Sequence, residues 1–271
     1  MVRSLWTAAT GMIAQQVNLD TIANNLANVN THGYKTQVNE FKTLLYQTLQ
    51  TKTTTANGDQ KPTSAQVGLG VRNSAITTIF KTGNMIASER DTAFAINGKG
   101  FFAVRGRDGN IYYTRNGNHQ FVLGSNGNML ANSEGLPVLD TAGNPIILDE
   151  SYILSEVSVS ANGEICYPDE LNNPQPIGIT IGLFQFNNPN GLERLPDSLY
   201  GQTAASGQPI NEATNPDVEP SRVLQGYLEG SNVQVADEMV NMIVAQRAYE
   251  LNSKAIIASD EMLQQANNLR R

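Results

Sequence analysis

The sequence predicts an α+β protein in which a mainly β central domain of antiparallel hairpins is inserted between long N- and C-terminal α-helices that pair as a coiled coil. Three observations predict it. The 11 prolines all lie between Pro62 and Pro220, so both ends lack the residue that interrupts helices. Residues 83–224 hold 16 of the 23 glycines. At both ends, non-polar residues recur at alternating spacings of four and three.

These features divide the chain into three expected parts. Residues 1–45 together with 225–271 are predicted to form a terminal helical coiled-coil assembly domain. Residues 46–82 are predicted to be an extended linker and contact segment. Its stretch from Tyr46 to Arg72 is rich in Thr, Gln and Gly and is predicted to lack a core of its own. Residues 83–224 are predicted to be the central all-β domain.

The N-terminal helix has a coiled-coil seam and an unusual polar face. The predicted seam is Leu5, Ala9, Met12, Gln16, Leu19, Ala23 and Leu26. Between Ser4 and Tyr34 the only charged side chain is Asp20, and the polar face is built from the amides Gln15, Gln16, Asn18, Asn24, Asn25, Asn28 and Asn30. Amides exchange hydrogen bonds without the desolvation cost of a charge, which favours a face buried against other subunits. An ordinary bundle helix with a polar exterior is the alternative.

The end of this helix is predicted at a glycine. We expect the helix to run to about Asn30 and to terminate through Gly33 in the left-handed conformation, which glycine adopts without a Cβ clash.

Short β-branched and aromatic runs in the middle of the chain alternate with turn signals. Asp108-Gly-Asn, Asn116-Gly-Asn and Asn126-Gly-Asn follow one another at spacings of 8 and 10 residues. Asn-Gly and Asp-Gly supply the positive φ that tight hairpins need, so this region is predicted to be an antiparallel meander.

The C-terminal helix carries a matching seam. Its predicted members are Val244, Ala248, Leu251, Ala255, Ala258, Met262, Gln265 and Leu269. Ser231 with Gln234 three residues later has the spacing of a capping box, which predicts the helix start.

Composition argues against several classes of function. The net charge of −7 offers no basic stripe for nucleic acid, and the chain has no run of eighteen apolar residues for membrane insertion. The N-terminus has no signal-peptide hydrophobic stretch. With Cys166 as the only cysteine, no intrachain disulfide can form.

No catalytic, metal or cofactor site is expected either. Gly98-Lys-Gly100-Phe-Phe-Ala103 matches a dinucleotide fingerprint, but a strand is predicted where that fingerprint needs a helix. Turn geometry explains Asp108, Asn110 and Asn128 better than calcium binding does. His32 and His119 are predicted to be structural. The chain is thus predicted not to be an enzyme, and a secreted β-domain binding module remains an alternative.

Two stretches at opposite ends of the chain resemble known signatures. ANNLANVNTHGYK (residues 23–35) resembles the N-terminal signature of the bacterial flagellar axial proteins, the rod and hook family, and SNVQVADEMVNMIVAQRAYELNSKAI (residues 231–256) resembles their C-terminal signature. LLYQT, VGLGVR, INGKGFFAV and YTRNGN extend the resemblance. It implies that the paired terminal helices line the channel of a tubular helical homopolymer, with the β domain outside.

The resemblance also implies a function and partners. It implies a structural subunit of the flagellar basal body that forms the distal part of the rod and transmits motor torque to the hook. A proximal rod or hook subunit is the alternative. The implied partners are the chain itself, other flagellar rod and hook proteins, the flagellar type III export apparatus and the ring proteins that surround the rod. No cofactor, nucleic acid or membrane insertion is implied, and the implied location is the periplasmic rod, reached without a cleaved signal peptide.

The expected assembly interface combines the seams with the two signatures. Its residues are Leu5, Met12, Leu19, Asn24, Asn25, Leu26, Ala27, Asn28, Asn30, Gly33, Tyr34, Ser231, Asn232, Val233, Val240, Gln246, Arg247, Tyr249, Leu251, Asn252, Lys254 and Met262.

Overall fold

The computed structural model describes residues 2–50, 65–124, 127–149, 151–169 and 173–268. The chain divides into two compact units. The helical unit comprises residues 1–27, 37–78 and 234–271, and the β-rich unit comprises residues 28–36 and 79–233. The expected boundaries at 45 and 225 differ from these, because residues 28–36 and 225–233 hydrogen-bond to other segments of the β-rich unit.

The helical unit contains two long helices and two strand pairs. Its elements are α1 (Val2–Ala27), β1 (Gln37–Thr43), β2 (Tyr46–Gln50), β3 (Ala65–Gly68), β4 (Val71–Thr78) and α2 (Val235–Asn268). β1 pairs antiparallel with β4, and β2 pairs antiparallel with β3. The segment expected to be an extended linker at 46–82 therefore contains three strands, and its residues 51–64 lie outside the described part of the chain.

The two helices pack together, as the sequence predicted, but through a different row of residues. A Cβ on Gly11 would lie 2.8 Å from the side-chain nitrogen of Asn252, and the Ser4 and Ser259 hydroxyl oxygens are 3.3 Å apart. Ala8 and Ala245 are buried, whereas Leu5, Met12, Leu19 and Leu26 are only half-buried and Val244, Leu251 and Met262 are exposed. The predicted seams were wrong by one residue: the contact row lies one residue before the predicted seam in α1 and one residue after it in α2. Small side chains let the backbones approach closely, so the row of small residues forms the contact.

Both inner helix ends differ from the expected ones. α1 ends at Ala27, because Thr31 donates from its backbone to the Asn28 carbonyl and from its hydroxyl to the Asn28 side chain, which closes a turn. Gly33 does have a positive φ, at 71°, but it lies six residues beyond the helix. The Ser231 hydroxyl accepts a hydrogen bond from the Val233 N–H, so it does not cap α2. The first turn of α2 closes from Glu238 N–H to the Gln234 carbonyl.

The β-rich unit consists of short strands. They are β5 (Met85–Ala87), β6 (Phe94–Asn97), β7 (Phe101–Arg105), β8 (Ile111–Thr114), β9 (His119–Gly124), β10 (Gly127–Asn132), β11 (Ile147–Leu148), β12 (Ser158–Val159), β13 (Glu164–Pro168), β14 (Pro174–Thr180), β15 (Leu183–Gln185), β16 (Glu193–Arg194), β17 (Leu199–Gly201), β18 (Ile210–Asn211), β19 (Arg222–Gln225) and β20 (Tyr227–Glu229).

These strands form a six-stranded sheet of order β16-β17-β8-β7-β15-β18 and several smaller sheets, and the pairs are antiparallel. Phe94, Ile96, Phe102 and Val104 are buried in the main core, because β6 and β7 are covered on both faces. The strand predicted within the glycine pattern is present at Phe101–Arg105, where a dinucleotide fingerprint would need a helix.

The three predicted turns have different outcomes. Gly109 has φ 81° in the tight connection between β7 and β8, which confirms the first hairpin. β9 and β10 also form a hairpin, although residues 125 and 126 of its turn lie outside the described residues. The prediction of a hairpin at Asn116-Gly-Asn was wrong, because β8 and β9 lie in different sheets. Gly117 instead allows the Phe94 carbonyl to approach, since a Cβ there would lie 1.5 Å from that oxygen.

His119 is fully buried at the start of β9, where its ring contacts Phe94 and Phe102. Neither ring nitrogen has a hydrogen-bond partner among the described residues. Burial lowers the pKa of His119 to about 4, from an ordinary 6.5. Its placement agrees with a structural role.

A pH dependence of stability follows for the β-rich unit. The unfolded state binds more protons than the folded state between about pH 6.5 and about pH 4, so stability should be lost as the pH falls through this range, by up to about 1.4 kcal/mol per pH unit. Urea unfolding followed over this range should show the loss. A His119→Leu variant should lack that part of the slope, and an unchanged slope in the variant would contradict the assignment.

Neither α1 nor α2, over the residues described, is long and apolar enough to cross a membrane.

Candidate assembly surface and buried charge cluster

Three charged side chains meet in the interior of the β-rich unit. Lys35 follows the turn after α1, Arg115 follows β8, and Glu229 is the last residue of β20. The Lys35 Nζ lies 2.5 Å from Oε1 of Glu229, and Arg115 Nη1 lies 3.3 Å from Oε2. All three side chains are essentially inaccessible to solvent. We call Lys35, Arg115 and Glu229 the buried charge cluster.

The cluster is held by further hydrogen bonds. The Gly83 N–H donates to Oε1 of Glu229 over 2.9 Å, and Lys35 Nζ also donates to the Lys81 carbonyl. Arg115 Nη2 donates to the Gly98 carbonyl over 2.7 Å. Because these residues come from distant parts of the sequence, the cluster ties the segment after α1 to the strand before α2.

One carboxylate serves two cations in this cluster. Burial lowers the pKa of Lys35, while the Glu229 carboxylate opposes that shift. Burial lowers the pKa of Arg115 in the same way, again opposed by Glu229. The Arg115 guanidinium lies 5.1 Å from the centre of the Phe101 ring, which adds a cation–π contact. Glu229 is therefore the residue on which the cluster depends.

The signature residue Gly33 packs beside this cluster. A Cβ at Gly33 would lie 2.6 Å from the Asn116 backbone nitrogen and 2.7 Å from the Arg115 carbonyl carbon. The Gly33 N–H donates to the Glu229 carbonyl over 2.8 Å. Only a residue without a side chain fits this close approach, so Gly33 is required for packing within the chain.

Asn232 makes a second connection between the chain ends. Its Oδ1 accepts hydrogen bonds from the backbone N–H and the hydroxyl of Thr36. Its Nδ2 donates to the carbonyls of Ile79 and Lys81. Asn232 therefore joins three segments of the β-rich unit.

The predicted interface residues fall into three groups by exposure. Asn25, Gly33 and Val233 are buried within the chain. The half-buried ones are Leu5, Met12, Leu19, Leu26, Asn28, Tyr34, Ser231, Asn232 and Asn252. The exposed ones are Asn24, Ala27, Asn30, Val240, Gln246, Arg247, Tyr249, Leu251, Lys254 and Met262.

Sequence reasoning missed the buried charge cluster as a unit. Lys35 and Arg115 both stand inside stretches that carry the family resemblance, ANNLANVNTHGYK and YTRNGN. Glu229 stands just before the C-terminal signature. Lys35 and Glu229 are 194 residues apart, so no spacing rule could pair them.

The α2 helix has a large apolar surface that α1 does not cover. We call it the outer apolar face, and it comprises Met239, Val240, Ile243, Val244, Leu251 and Met262, each about half exposed or more. It contains four members of the seam or signature set that the sequence predicted for α2, namely Val240, Val244, Leu251 and Met262. Apolar surface of this extent on one helix marks an interaction site.

The described residues contain no group of three or more His, Cys, Asp or Glu side chains placed to hold a metal ion. Cys166 is a free, buried cysteine in β13.

Comparisons with known proteins agree with this arrangement. Three family models match the chain, described as flagella basal body rod protein (residues 5–35), flagellar hook protein FlgE/F/G D1 domain (95–167) and flagellar basal body rod FlgEFG protein C-terminal (224–269). The FlgG basal-body rod protein of Borreliella burgdorferi is 46% identical over the full length of both chains.

Two relatives from Bacillus subtilis also match over the full length of both chains. Its FlgG rod protein is 35% identical, and its hook-basal body complex protein FlhP is 31% identical. Full-length identity at this level, together with family models at both ends and in the β-rich unit, shows that the chain belongs to the FlgG family of flagellar basal-body rod proteins.

Proposed function

We propose that this chain is a structural subunit of the flagellar basal body that self-assembles into the tubular distal rod and transmits motor torque to the hook. The observation that carries the proposal is the outer apolar face of α2. Its predicted seam is exposed in the single chain, while the neighbouring row of small residues contacts α1. The helix therefore offers a second apolar row to a second copy of the chain.

The energetics favour such a contact. Fully burying one large apolar side chain contributes about 1.5–3 kcal/mol, so covering several residues of this face offsets much of the entropy lost on association. Arg247 and Lys254 lie beside this face and are exposed. Their charged groups can therefore fix the alignment of one copy relative to the next.

The assembly partners follow from the same role. The chain packs with itself and with other rod and hook proteins, while the type III export apparatus delivers it and the ring proteins surround the finished rod. The role requires neither cofactor nor catalysis. A proximal rod or hook subunit is a weaker candidate, because relatives that are 46% and 43% identical to this chain are named as FlgG rod proteins.

A substitution on the outer apolar face tests the proposal. Leu251 is 65% exposed in the single chain, so Leu251→Asn should leave the subunit folded but reduce rod formation on the order of tenfold or more, because the apolar contact between copies is lost. Rods can be counted by electron microscopy of basal bodies from a strain whose own copy has been replaced.

The matched control is Leu123→Asn, because Leu123 is 75% exposed on β9 of the β-rich unit and is not part of the proposed contact. Normal motility is expected for this variant. Normal rod numbers in Leu251→Asn would contradict assembly through the outer apolar face.

A further inference from the structure

A cavity of about 300 Å³ with both polar and apolar lining opens on the helical unit. It is bounded by α1, β1 and the first turns of α2. Gln15, Asn18, Asn39, Glu238 and Asn241 contribute its polar lining. The cavity is separate from the buried charge cluster, which belongs to the other unit.

Two oxygen atoms in the lining lack hydrogen-bond donors. Oε2 of Glu238 and Oδ1 of Asn39 are both buried, and neither accepts a hydrogen bond from any described residue. The two residues are only 8% and 7% exposed. Burying a carboxylate oxygen without a donor is unfavourable, so this site is incomplete in the single chain.

The chemistry of the missing group follows from these atoms. Both are acceptors, so the occupant must bring N–H or O–H donors. One acceptor belongs to a carboxylate, which favours a positively charged donor over a neutral one. A basic side chain meets both requirements.

We propose that the cavity receives a basic side chain from the helical unit of a second copy of this chain. The proposal rests on self-assembly as the function. Val244 lines the cavity and also belongs to the outer apolar face. A copy seated on that face therefore also reaches the mouth of the cavity.

Lys254 of the second copy is the first candidate donor. It is exposed on α2, and no described residue forms an ion pair with it. Arg247 on the same helix already pairs with Glu250 over 2.9 Å. The Lys254 ammonium group can thus enter the cavity of another copy without breaking an ion pair among the described residues of its own chain.

Glu238→Gln tests the cavity while keeping the shape of the side chain. Removing the buried carboxylate, whose Oε2 has no donor among the described residues, should raise the Tm of the isolated subunit by about 2 °C or more for a chain of this size. Rod formation should fall roughly tenfold or more, because the basic side chain loses its charged acceptor. Glu261→Gln is the matched control, since Glu261 is exposed on the same helix, and both measurements should stay at the wild-type values.

The outcomes separate this proposal from the function on which it rests. If Glu238→Gln forms normal rods, or if it lowers the Tm of the isolated subunit, the carboxylate serves the fold or only a water molecule, and the proposal is overturned. Normal rods in Leu251→Asn would instead overturn assembly through the outer apolar face.

Charge exchange identifies the donor. Glu238→Lys and Lys254→Glu should each block rod formation, because each puts two like charges at the contact. A chain that carries both changes should form rods again, because the cavity is then positive and the inserted side chain is negative. The same exchange can be made at the other exposed basic residues of the described helical unit, Arg3, Lys42, Arg72 and Arg247. Restoration at one of them supports a basic occupant from a second copy, and failure of every exchange overturns it.

Discussion

Replacing Glu229 with glutamine should lower the free energy of unfolding of the β-rich unit by about 3–5 kcal/mol. The change leaves two buried cations without their shared carboxylate, and the new amide nitrogen is a donor that faces other donors. Urea unfolding followed by the near-ultraviolet circular dichroism of the tyrosines would measure the loss. Motility should also be lost in this variant, because the cluster no longer connects the segment after α1 to the strand before α2.

Two further variants make this result specific. Lys35→Met removes one cation and leaves Arg115 and Glu229 as a balanced pair, so its loss should be clearly smaller than that of Glu229→Gln. Glu250→Gln breaks the exposed pair with Arg247 and should cost at most about 0.5 kcal/mol. If all three variants lost the same free energy of unfolding, the buried charge cluster would contribute no more to stability than an exposed ion pair does.

Gly33→Ala should destabilise the β-rich unit by about 2–5 kcal/mol, because the positive φ costs about 1–2 kcal/mol and overpacking costs about 1–3 kcal/mol. The added Cβ would meet the backbone of Arg115 and Asn116 at 2.6–2.8 Å, and backbone atoms cannot rotate away. Swimming should be reduced, and more strongly with Gly33→Val.

Gly135 provides a matched control for the backbone conformation alone. Its φ is 77°, close to the 71° of Gly33, and a Cβ there would meet nothing within 4 Å. Gly135→Ala should therefore cost only the conformational part, about 1–2 kcal/mol. If Gly33→Ala cost no more than Gly135→Ala in urea unfolding, the close approach to Arg115 and Asn116 would carry no energetic weight.

Local rules in the sequence were sufficient for the fold class. Proline-free ends with apolar repeats predicted the two helices and their pairing, and glycine-rich turns predicted the β-rich middle. Asp108-Gly109 predicted a hairpin correctly, because the positive φ of such a turn is a property of the turn itself. The signatures at both ends predicted the family that full-length relatives show.

The same local rules failed where packing decides the outcome. Asn116-Gly117 has the composition of a hairpin turn, yet its glycine is needed for the approach of the Phe94 carbonyl from another strand. The helix contact uses the row of Gly11 and Ala245, since small residues permit the close packing that the larger apolar residues prevent. Periodicity alone does not distinguish two adjacent apolar rows on one helix.

Neighbouring residues and composition were thus enough to predict the types and order of the elements, the absence of a disulfide within the chain and the family. They could not predict which face of α2 contacts α1, which face stays exposed, or that Lys35, Arg115 and Glu229 meet. Such contacts join residues that are far apart in the chain, and their energy depends on burial and close approach, which arise only when the chain folds.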